Sequence, residues 1–433
     1  MRIAAQLERL AAPYVGGRLP IRVRAWDGSE AGPPGGPVVV LRSAAALRYL
    51  LWSPGELGLA RAYVTGELDV DGDLASGLRQ VWAALRDRPP SRGWSPVTAL
   101  LGLKILAGLG VVGPPLSPPA SEARVHGRRH TRQRDAAVIS HHYDLSNRLY
   151  ALLLDEHMAY SCGYWTDDRS DYSLANAQRD KLDLICRKLD LRPGARLLDV
   201  GCGWGALALH AASKYGAQVS GVTLSAQQLD LARQRVVLAG LGDRIELRHQ
   251  DYRDLPRTER PGSYDAIAAI EMGEHVGARC YPGLLATLHR LLRPQGRLLV
   301  QQMSRGPGAP GGGAFIERYI APDMHMRPVG ETVALIERSG LEVRDVHGLR
   351  EHYARTVACW LEVFEHRFDE VVDVVGLQYA RVWRLYLAGG MLAFEQRRMG
   401  VDQILAVKAT ATGRSGMPAT RAGWEPAASH LAG

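Results

Sequence analysis

The sequence has few cysteines, and they are not arranged as a metal site or a disulfide framework would require. All five occur singly, without CxxC spacing and without a matching cluster of histidines. We therefore expect reduced thiols and no bound metal. A secretory signal is also missing, because residues 1–9 contain two arginines and a glutamate and no apolar core. We expect a cytoplasmic protein.

Long hydrophobic runs are absent as well. The clearest apolar stretch, residues 97–112, is interrupted by Lys104. It is shorter than the roughly 20 residues that a helix needs to cross a bilayer. An ordinary packed helix is the favoured interpretation, and a helix lying in a membrane interface is the alternative.

Acidic residues are scarce in the first third of the chain. The net charge is +8, and residues 1–137 hold 18 Lys and Arg against 11 Asp and Glu, so most of the excess lies there. Residues 124–134 contain five arginines and no acid. Such a run attracts the phosphate of a lipid or a nucleic acid, and it also fits a solvated linker. Nucleic acid is disfavoured because aromatic residues do not alternate with the arginines as stacking platforms would.

Composition divides the chain into three parts. Residues 1–85 combine a helical pattern at 47–52 with a strand and turn at 66–73, which predicts a small α+β domain. Residues 86–137 are rich in Pro, Gly and Arg and are interpreted as a linker. Residues 138–433 form the larger domain, and within it a glycine-rich insertion at 304–328 suggests a lid.

Strands alternate with helices throughout the larger domain. This order predicts an α/β fold in which a mostly parallel, seven-stranded sheet is covered on both faces, as in Rossmann-like class I methyltransferases. The candidate strands are 195–200, 218–223, 245–249, 264–270, 297–302, 341–349 and 403–409.

A glycine cluster follows the first of these strands directly. The segment LLDVGCGWG places Gly201, Gly203 and Gly205 between a buried strand and a helix, where backbone N–H groups can approach a ligand closely. A bare GxGxG would also fit a nicotinamide enzyme. Asp199, two positions before the first glycine, favours S-adenosylmethionine as the cofactor.

Polar residues after the next two strands complete the expected cofactor site. Thr223, Leu224, Ser225 and Gln228 follow the second strand, where many nucleotide-binding folds carry an acid for the ribose. Ser225 also fits a helix cap. After the third strand, the adjacent pair Asp251 and Tyr252 is expected to hold the adenine ring.

Six motifs in this order resemble the cyclopropane-fatty-acyl-phospholipid synthase family, which includes the mycolic acid cyclopropane synthases. They are HYDLS (142–146), YSCGYW (160–165), LLDVGCGWG (197–205), VTLSAQQ (222–228), EHVG (274–277) and HYARTVACW (352–360). The resemblance covers about 138–409, and ELDV (67–70) looks like the N-terminal domain of the phospholipid-acting bacterial members. It implies that Tyr160 and Ser161 join the cofactor site.

The resemblance also implies a reaction. A methyl group passes from S-adenosylmethionine to the double bond of an acyl chain, and aromatic faces can stabilise the resulting carbocation. In the family a bound bicarbonate then takes a proton, held by a Cys backbone, a Glu, a His and a Tyr. By motif, Cys162, Glu274 and Tyr353 match three of these ligands. Glu274 beside an anion would need a raised pKa.

The sequence departs from the family at three places. Gln301 stands where the family has the His, Gly390 stands where a Cys is frequent, and Glu271-Met272-Gly273 replaces Gly-x-Phe. These changes resemble the actinobacterial relatives that make 10-methylene-branched chains on the route to tuberculostearic acid. We favour a methylene product over a cyclopropane. A separate reductase would then be needed for a saturated branch.

The acceptor expected from the resemblance is an oleoyl-type phospholipid. The protein would then lie peripherally on the inner face of the cell membrane and contact anionic head groups through Arg124, Arg128, Arg129, Arg132 and Arg134. A small-molecule N- or C-methyltransferase is the competing enzyme class. The oligomeric state stays open, a homo-oligomer included.

Overall fold

The computed structural model of the chain describes residues 2–15, 19–87, 96–143, 146–306 and 311–424. The chain divides into two compact units. The first comprises Met1–Ala123, Gly313–Tyr319 and Phe368–Leu392, and the second comprises Arg124–Gly312, Ile320–Arg367 and Ala393–Gly433.

Sixteen helices occur in the described residues. In chain order they are α1 (Ile3–Val15), α2 (Ala44–Trp52), α3 (Glu56–Val64), α4 (Leu74–Asp87), α5 (Pro96–Gly108), α6 (Arg132–Tyr143), α7 (Asn147–Leu153), α8 (Leu174–Lys188), α9 (Ala206–Tyr215), α10 (Ala226–Leu238), α11 (Leu255–Thr258), α12 (Tyr281–Leu291), α13 (Val329–Arg338), α14 (Arg350–His366), α15 (Phe368–Val375) and α16 (Leu377–Glu395). Short turns of 3-10 helix cover Tyr252–Asp254 and Gly273–His275, and a π-helical turn covers Ile316–Ile320.

The first unit contains a four-stranded sheet built from β1 (Arg22–Arg24), β2 (Glu30–Ala31), β3 (Val38–Leu41) and β4 (Leu68–Asp71). The order across the sheet is β2-β1-β3-β4, and only β1 and β3 are parallel. Helix α2 follows β3 because Ser43 caps it, its side chain accepting a hydrogen bond from the backbone N–H of Ala45.

The second unit contains a seven-stranded sheet built from β5 (Arg196–Val200), β6 (Gln218–Thr223), β7 (Ile245–His249), β8 (Tyr264–Ile270), β9 (Leu292–Ser304), β10 (Glu342–Gly348) and β11 (Gly400–Val407). The order is β10-β11-β9-β8-β5-β6-β7, and only β11 runs antiparallel to its neighbours. All seven strands predicted from the sequence are confirmed. From β5 the sheet continues on one side through β6 and β7 and on the other side through β8 and β9. At this reversal of strand order, the carboxyl ends of the strands border a crevice.

Helices cover both faces of this sheet. Leu197 and Leu198 are fully buried neighbours on β5, yet they belong to different hydrophobic clusters. Alternate residues of a strand point to opposite faces, so each face has its own core. This double burial explains why the strands are nearly continuous apolar runs.

The division into units differs from the one expected from the sequence. The first unit extends to Ala123, and two later segments, Gly313–Tyr319 and α15 with most of α16, belong to it. Within residues 86–137, which were expected to form a linker, α5 and the start of α6 are helical, and residues 88–95 lie outside the described part.

The insertion expected to act as a lid also differs. Residues 307–310 lie outside the described part of the chain, and the apolar side chains that follow are not presented to solvent. Phe315 and Tyr319 are buried, with their rings 5.4 Å apart, and belong to the first unit. The segment interpreted as part of a lid therefore has its two aromatic side chains buried.

The apolar stretch at 97–112 forms α5 and the turn after it. Leu103 and Val112 are about half exposed, whereas Val111 is buried. None of the helices in the described residues is both long enough and apolar enough to cross a membrane. All five cysteines are unpaired.

Candidate active site

The glycine cluster forms a tight turn at the carboxyl end of β5. The backbone φ angles of Gly201, Gly203 and Gly205 are 84°, 52° and 80°, values that residues other than glycine rarely adopt. A Cβ on Gly201 would lie 2.8 Å from the side chain of Met272. Helix α9 begins immediately after Gly205, so the turn places backbone next to a cavity at the crevice of the sheet.

This cavity encloses about 1330 Å³, including the part open to solvent. Nine of the twelve residues expected at the cofactor line it: Tyr160, Ser161, Asp199, Gly201, Gly203, Thr223, Leu224, Gln228 and Tyr252. Gly205 is instead the cap of α9, and buried Ser225 caps α10 by accepting a hydrogen bond from the N–H of Gln228. The carboxylate of Asp251 is engaged by the guanidinium of Arg253.

The floor of the cavity is charged. Asp199 is 2% exposed, its Oδ2 atom has no hydrogen-bond partner among the described residues, and burial raises its pKa to about 7. Lys181 is also buried and donates a 2.7 Å hydrogen bond from Nζ to Oγ of Ser161. Desolvation lowers the pKa of Lys181, while the charges of Glu271 and Asp155 oppose this shift. An unpartnered carboxylate oxygen and a buried ammonium beside a glycine turn suit a polar, charged ligand.

Sequence reasoning missed Lys181. It lies on α8, three residues after Gln178, which is fully buried and donates to the carbonyl oxygens of Ala159 and Ser161. Polar residues three apart on a helix share one face. Gln178 and Lys181, two polar residues on an otherwise apolar face of α8, were therefore the feature of the sequence that could have indicated this part of the site.

Glu271 is the centre of the second half of the site. Its Oε1 accepts hydrogen bonds from the backbone N–H of Cys162 at 2.8 Å and from Nε2 of Gln301 at 2.7 Å. Its Oε2 accepts one from the hydroxyl of Tyr353 at 2.6 Å. Glu271 lines the cavity and has a φ of 50°, a conformation that is unfavourable for a residue with a Cβ. Such strain is typical of functional positions.

The orientation of Gln301 is fixed from behind. Gln301 is fully buried, and its Oε1 accepts a 2.9 Å hydrogen bond from Nε2 of Gln403 on β11. The amide must therefore present its NH₂ group to Glu271.

The thiol of Cys162 takes no part in these contacts. Burial keeps it protonated by raising its pKa well above the ordinary value, and Sγ faces the carbonyl oxygens of Gly163 and Leu349. Only the backbone of Cys162 serves the site.

Glu274 lies outside this group of contacts. It is 1% exposed and absent from the cavity lining, and its Oε1 accepts a hydrogen bond from the N–H of Met303. Burial, followed by the negative charge of Glu271, raises its pKa to about 8. Glu274 therefore stays neutral at pH 7. A raised pKa was expected for Glu274 beside a bound bicarbonate, whereas the neighbouring anion in the structure is Glu271.

Two of the three ligands expected for bicarbonate, Cys162 and Tyr353, thus donate to a side chain of the protein, together with Gln301, which stands in the place of the family's His. The N–H of Cys162, the amide of Gln301 and the hydroxyl of Tyr353 all meet at the Glu271 carboxylate. The residues present do not fit a bicarbonate ion held by these same donors. The third departure from the family is explained locally, because a Cβ on Gly273 would lie 2.2 Å from Oε1 of Gln302.

A row of packed aromatic rings extends from Tyr353 to Tyr160, and of these residues Tyr160 is the one that lines the cavity. The ring of Tyr353 stacks on Phe394 at 4.4 Å and lies 6.1 Å from Trp360, which is 5.2 Å from Tyr160. The other two aromatic residues of the YSCGYW motif have different contacts. Tyr164 packs on His352, and Trp165 lies under the guanidinium of Arg355. Gly390 is on α16 and is not among the residues that line the cavity.

The motif at 142–146 is only partly visible, because residues 144–145 lie outside the described part. His142 and His275 are both in an aromatic group with Tyr143, whose hydroxyl is 3.2 Å from Nε2 of His275. Burial lowers the pKa of His142 to about 3 and that of His275 to about 4. Both imidazoles are neutral at pH 7.

The arginines of the basic run have unequal surroundings. Arg129 and Arg134 both pair with the buried carboxylate of Asp323, and Arg132 pairs with Asp254. Arg134 is mostly buried in this contact, so it has a structural role. Arg124 and Arg128 are exposed.

The sheet order, the glycine turn after β5 and the polar cavity define a class I, S-adenosylmethionine-dependent methyltransferase. The family model described as mycolic acid cyclopropane synthetase matches residues 130–404. The chain belongs to this family. It is an S-adenosylmethionine-dependent enzyme of the fatty-acyl methyltransferase and cyclopropane synthase class.

Two curated relatives cover nearly the whole chain. A probable fatty acid methyltransferase of Mycobacterium tuberculosis is 36% identical over 95% of this chain and 96% of the relative. The tuberculostearic acid methyltransferase UfaA1 of the same organism is 33% identical over 93% of this chain and 90% of the relative. Among solved structures, the mycolic acid cyclopropane synthase CmaA1, complexed with S-adenosylhomocysteine, is 29% identical with a TM-score of 0.58, covering 63% of this chain and 97% of that one.

Proposed function

We propose that the enzyme methylates the double bond of a monounsaturated acyl chain in a phospholipid and converts it into a 10-methylene branch. One observation carries the proposal: a carboxylate, Glu271, lines the same cavity as the ring of Tyr160, and Tyr160 packs in turn on buried Trp360. An apolar, aromatic surface suits a hydrocarbon acceptor and a cationic intermediate on it.

The cofactor half of the site has a separate task. When bound, S-adenosylmethionine supplies an electrophilic methyl group on a sulfonium. Asp199 and Gln228 would hold its polar parts, Tyr252 offers a ring face, and the glycine turn allows close approach of the backbone. Buried Lys181 balances the negative charges of Asp199 and Glu271.

The acceptor half must control a carbocation on the acyl chain. An alkene is a weak nucleophile, so the walls contribute by aligning the chain and excluding water. The ring of Tyr160, which lines the cavity, stabilises positive charge through its quadrupole, and Trp360 packs against that ring. Tyr353 is constrained between Phe394 and Glu271, so its position is set on both sides.

The methylene product is favoured over a cyclopropane by the changed surroundings of the proton acceptor. Gln301 and Glu271 replace the family's His and Gly, and the relative named as a tuberculostearic acid methyltransferase covers nearly the whole chain. A hydride shift followed by loss of a proton from the added methyl gives an exocyclic methylene. A reductase acting on this alkene would complete a saturated branch.

The acyl chain is expected to come from a membrane surface on the cytoplasmic side. Arg124 and Arg128 are exposed and form no ion pair with the described residues, so they would contact anionic head groups. This role is narrower than the one expected for all five arginines, because the other three are paired with Asp323 or Asp254.

The test uses the full chain, S-adenosylmethionine and vesicles of oleoyl phospholipid. We expect an acyl chain heavier by one CH₂ unit in mass spectra, and no product from stearoyl vesicles, which lack the double bond. Methylation of small amines without lipid, and none of oleoyl chains, would instead favour a small-molecule methyltransferase.

A further inference from the structure

We infer that Glu271 is the built-in base of this enzyme, so that the chain itself accepts the proton and turnover needs no bicarbonate. The inference rests on the proposed function and deepens it. It arises from one juxtaposition: the backbone N–H of Cys162, the amide of Gln301 and the hydroxyl of Tyr353 all donate to one carboxylate that lines the cavity.

Geometry supports an ionised carboxylate as the resting form. All three neighbours donate, two to Oε1 and one to Oε2, and a carboxylate that accepts several hydrogen bonds is held in its charged form. Gln301 cannot easily reverse its amide, because Gln403 donates to its oxygen. Burial raises the pKa of Glu271, and the three hydrogen bonds and the charge of Lys181 oppose that shift. A proton acceptor is therefore already in place.

The backbone of Glu271 is a second, independent observation. Its φ of 50° lies in the left-handed region, where glycine is favoured and other residues cost of order 1 kcal/mol or more. A glutamate at this position costs stability that a glycine would not. The residue that bears this cost is the one whose carboxylate reaches the three donors.

Atoms and electrons balance in the proposed reaction. The alkene electron pair forms the new C–C bond as the S–CH₃ bond breaks, which leaves S-adenosylhomocysteine and a cation on the acyl chain. After the hydride shift, a C–H bond of the added methyl breaks, and its electrons form the exocyclic double bond. The proton goes to the Glu271 carboxylate and is released to solvent before the next cycle. Cys162, Gln301 and Tyr353 act as positioning residues.

The test compares two variants with the wild type in buffer freed of carbon dioxide and in the same buffer with bicarbonate, using chloride to match ionic strength. Wild-type turnover should be unchanged by bicarbonate. E271Q keeps the size of the side chain but cannot accept the proton, so it should lose about 100-fold or more in turnover and show no rescue. E271G leaves the three donors open and should regain turnover with added bicarbonate.

A binding measurement keeps the test independent of turnover. Without cofactor or lipid, bicarbonate should raise the melting temperature of E271G and leave that of the wild type unchanged. D190G is the matched control, because Asp190 is another acidic residue with positive φ, 56°, outside the cavity. It should stay active and show no response to bicarbonate.

The inference is overturned if the wild type requires bicarbonate, or if E271Q retains wild-type turnover. If E271G fails to fold, these two results still decide. Failure of the proposed function looks different, because the wild type would then give no methylated acyl chain under any condition.

Discussion

The hydroxyl of Tyr353 donates a 2.6 Å hydrogen bond to Oε2 of Glu271, although the two residues are 82 positions apart in the chain. Helix α14 supplies the tyrosine and the end of β8 precedes the glutamate. A helix that follows β10 thus contributes a hydrogen bond that favours the charged form of a carboxyl group beside a central strand, against the effect of burial.

Removing this bond should change the pH dependence of turnover. The Tyr353 hydroxyl lowers the pKa of Glu271, opposing the upward shift that burial causes. Y353F should therefore raise that pKa, and the acidic limb of the rate profile should move to higher pH by about one unit. Rates measured across the pH range for both proteins check this. If the acidic limb does not move, the Tyr353 hydroxyl does not influence the protonation of Glu271.

Glu274 gives a prediction about stability. Its pKa is raised from an ordinary 4.5 to about 8, mainly by burial. Below the ordinary value both folded and unfolded states hold the proton. As pH rises towards 8, the unfolded state releases it and the folded state does not, so folding is progressively disfavoured.

E274Q removes this titration. Between about pH 5.5 and pH 8 the wild type should therefore lose about 3 kcal/mol of unfolding free energy relative to the variant. Urea unfolding of both proteins at the two pH values provides the measurement. A difference between them that is independent of pH would contradict a neutral, buried Glu274.

Asp199 should matter for the cofactor. Its Oδ2 has no partner among the described residues and it lines the cavity, so a bound ligand can use it. D199N should raise the dissociation constant for S-adenosylmethionine about tenfold or more, since hydrogen bonds to charged groups contribute about 1.5–3 kcal/mol. Calorimetric titration tests this. The control D265N, an acid-to-amide change at the other end of the sheet, should bind S-adenosylmethionine with wild-type affinity. If D199N also binds with wild-type affinity, Asp199 does not contact the cofactor.

The exposed arginines make a prediction about membranes. The double charge reversal R124E/R128E should weaken sedimentation with anionic vesicles at least tenfold, because each basic residue near such a surface contributes about 1 kcal/mol. The control R290E/R338E changes the net charge equally at exposed arginines elsewhere and should bind like the wild type. If both pairs behave alike, the effect comes from total charge and the assigned contact is wrong.

The sheet was predictable because each strand is a short apolar run bounded by turn residues. Strands β6, β7 and β8 begin and end at the predicted residues. The glycine turn after β5 was predictable for the same reason, since strand, glycines and helix follow one another directly. Contacts within a few residues carry this information.

The site's second half was less accessible because it depends on long-range contacts. Glu271 was noticed only as a departure from the family, since nothing local shows that Cys162, Gln301 and Tyr353 come from three separate segments to meet it. The division into units was missed for a similar reason. Helix α15 and most of α16 lie within the larger domain in sequence, between α14 and β11, but belong to the first unit.

The most direct test of the proposed function follows the transferred carbon. Wild-type enzyme is incubated, in parallel buffers with and without bicarbonate, with oleoyl phospholipid vesicles and S-adenosylmethionine labelled with ¹³C in its methyl group, and the lipid is examined by NMR. We predict that the label appears as the CH₂ carbon of an exocyclic double bond. A label in a cyclopropane ring, or no labelled acyl chain at all, would contradict the proposed reaction.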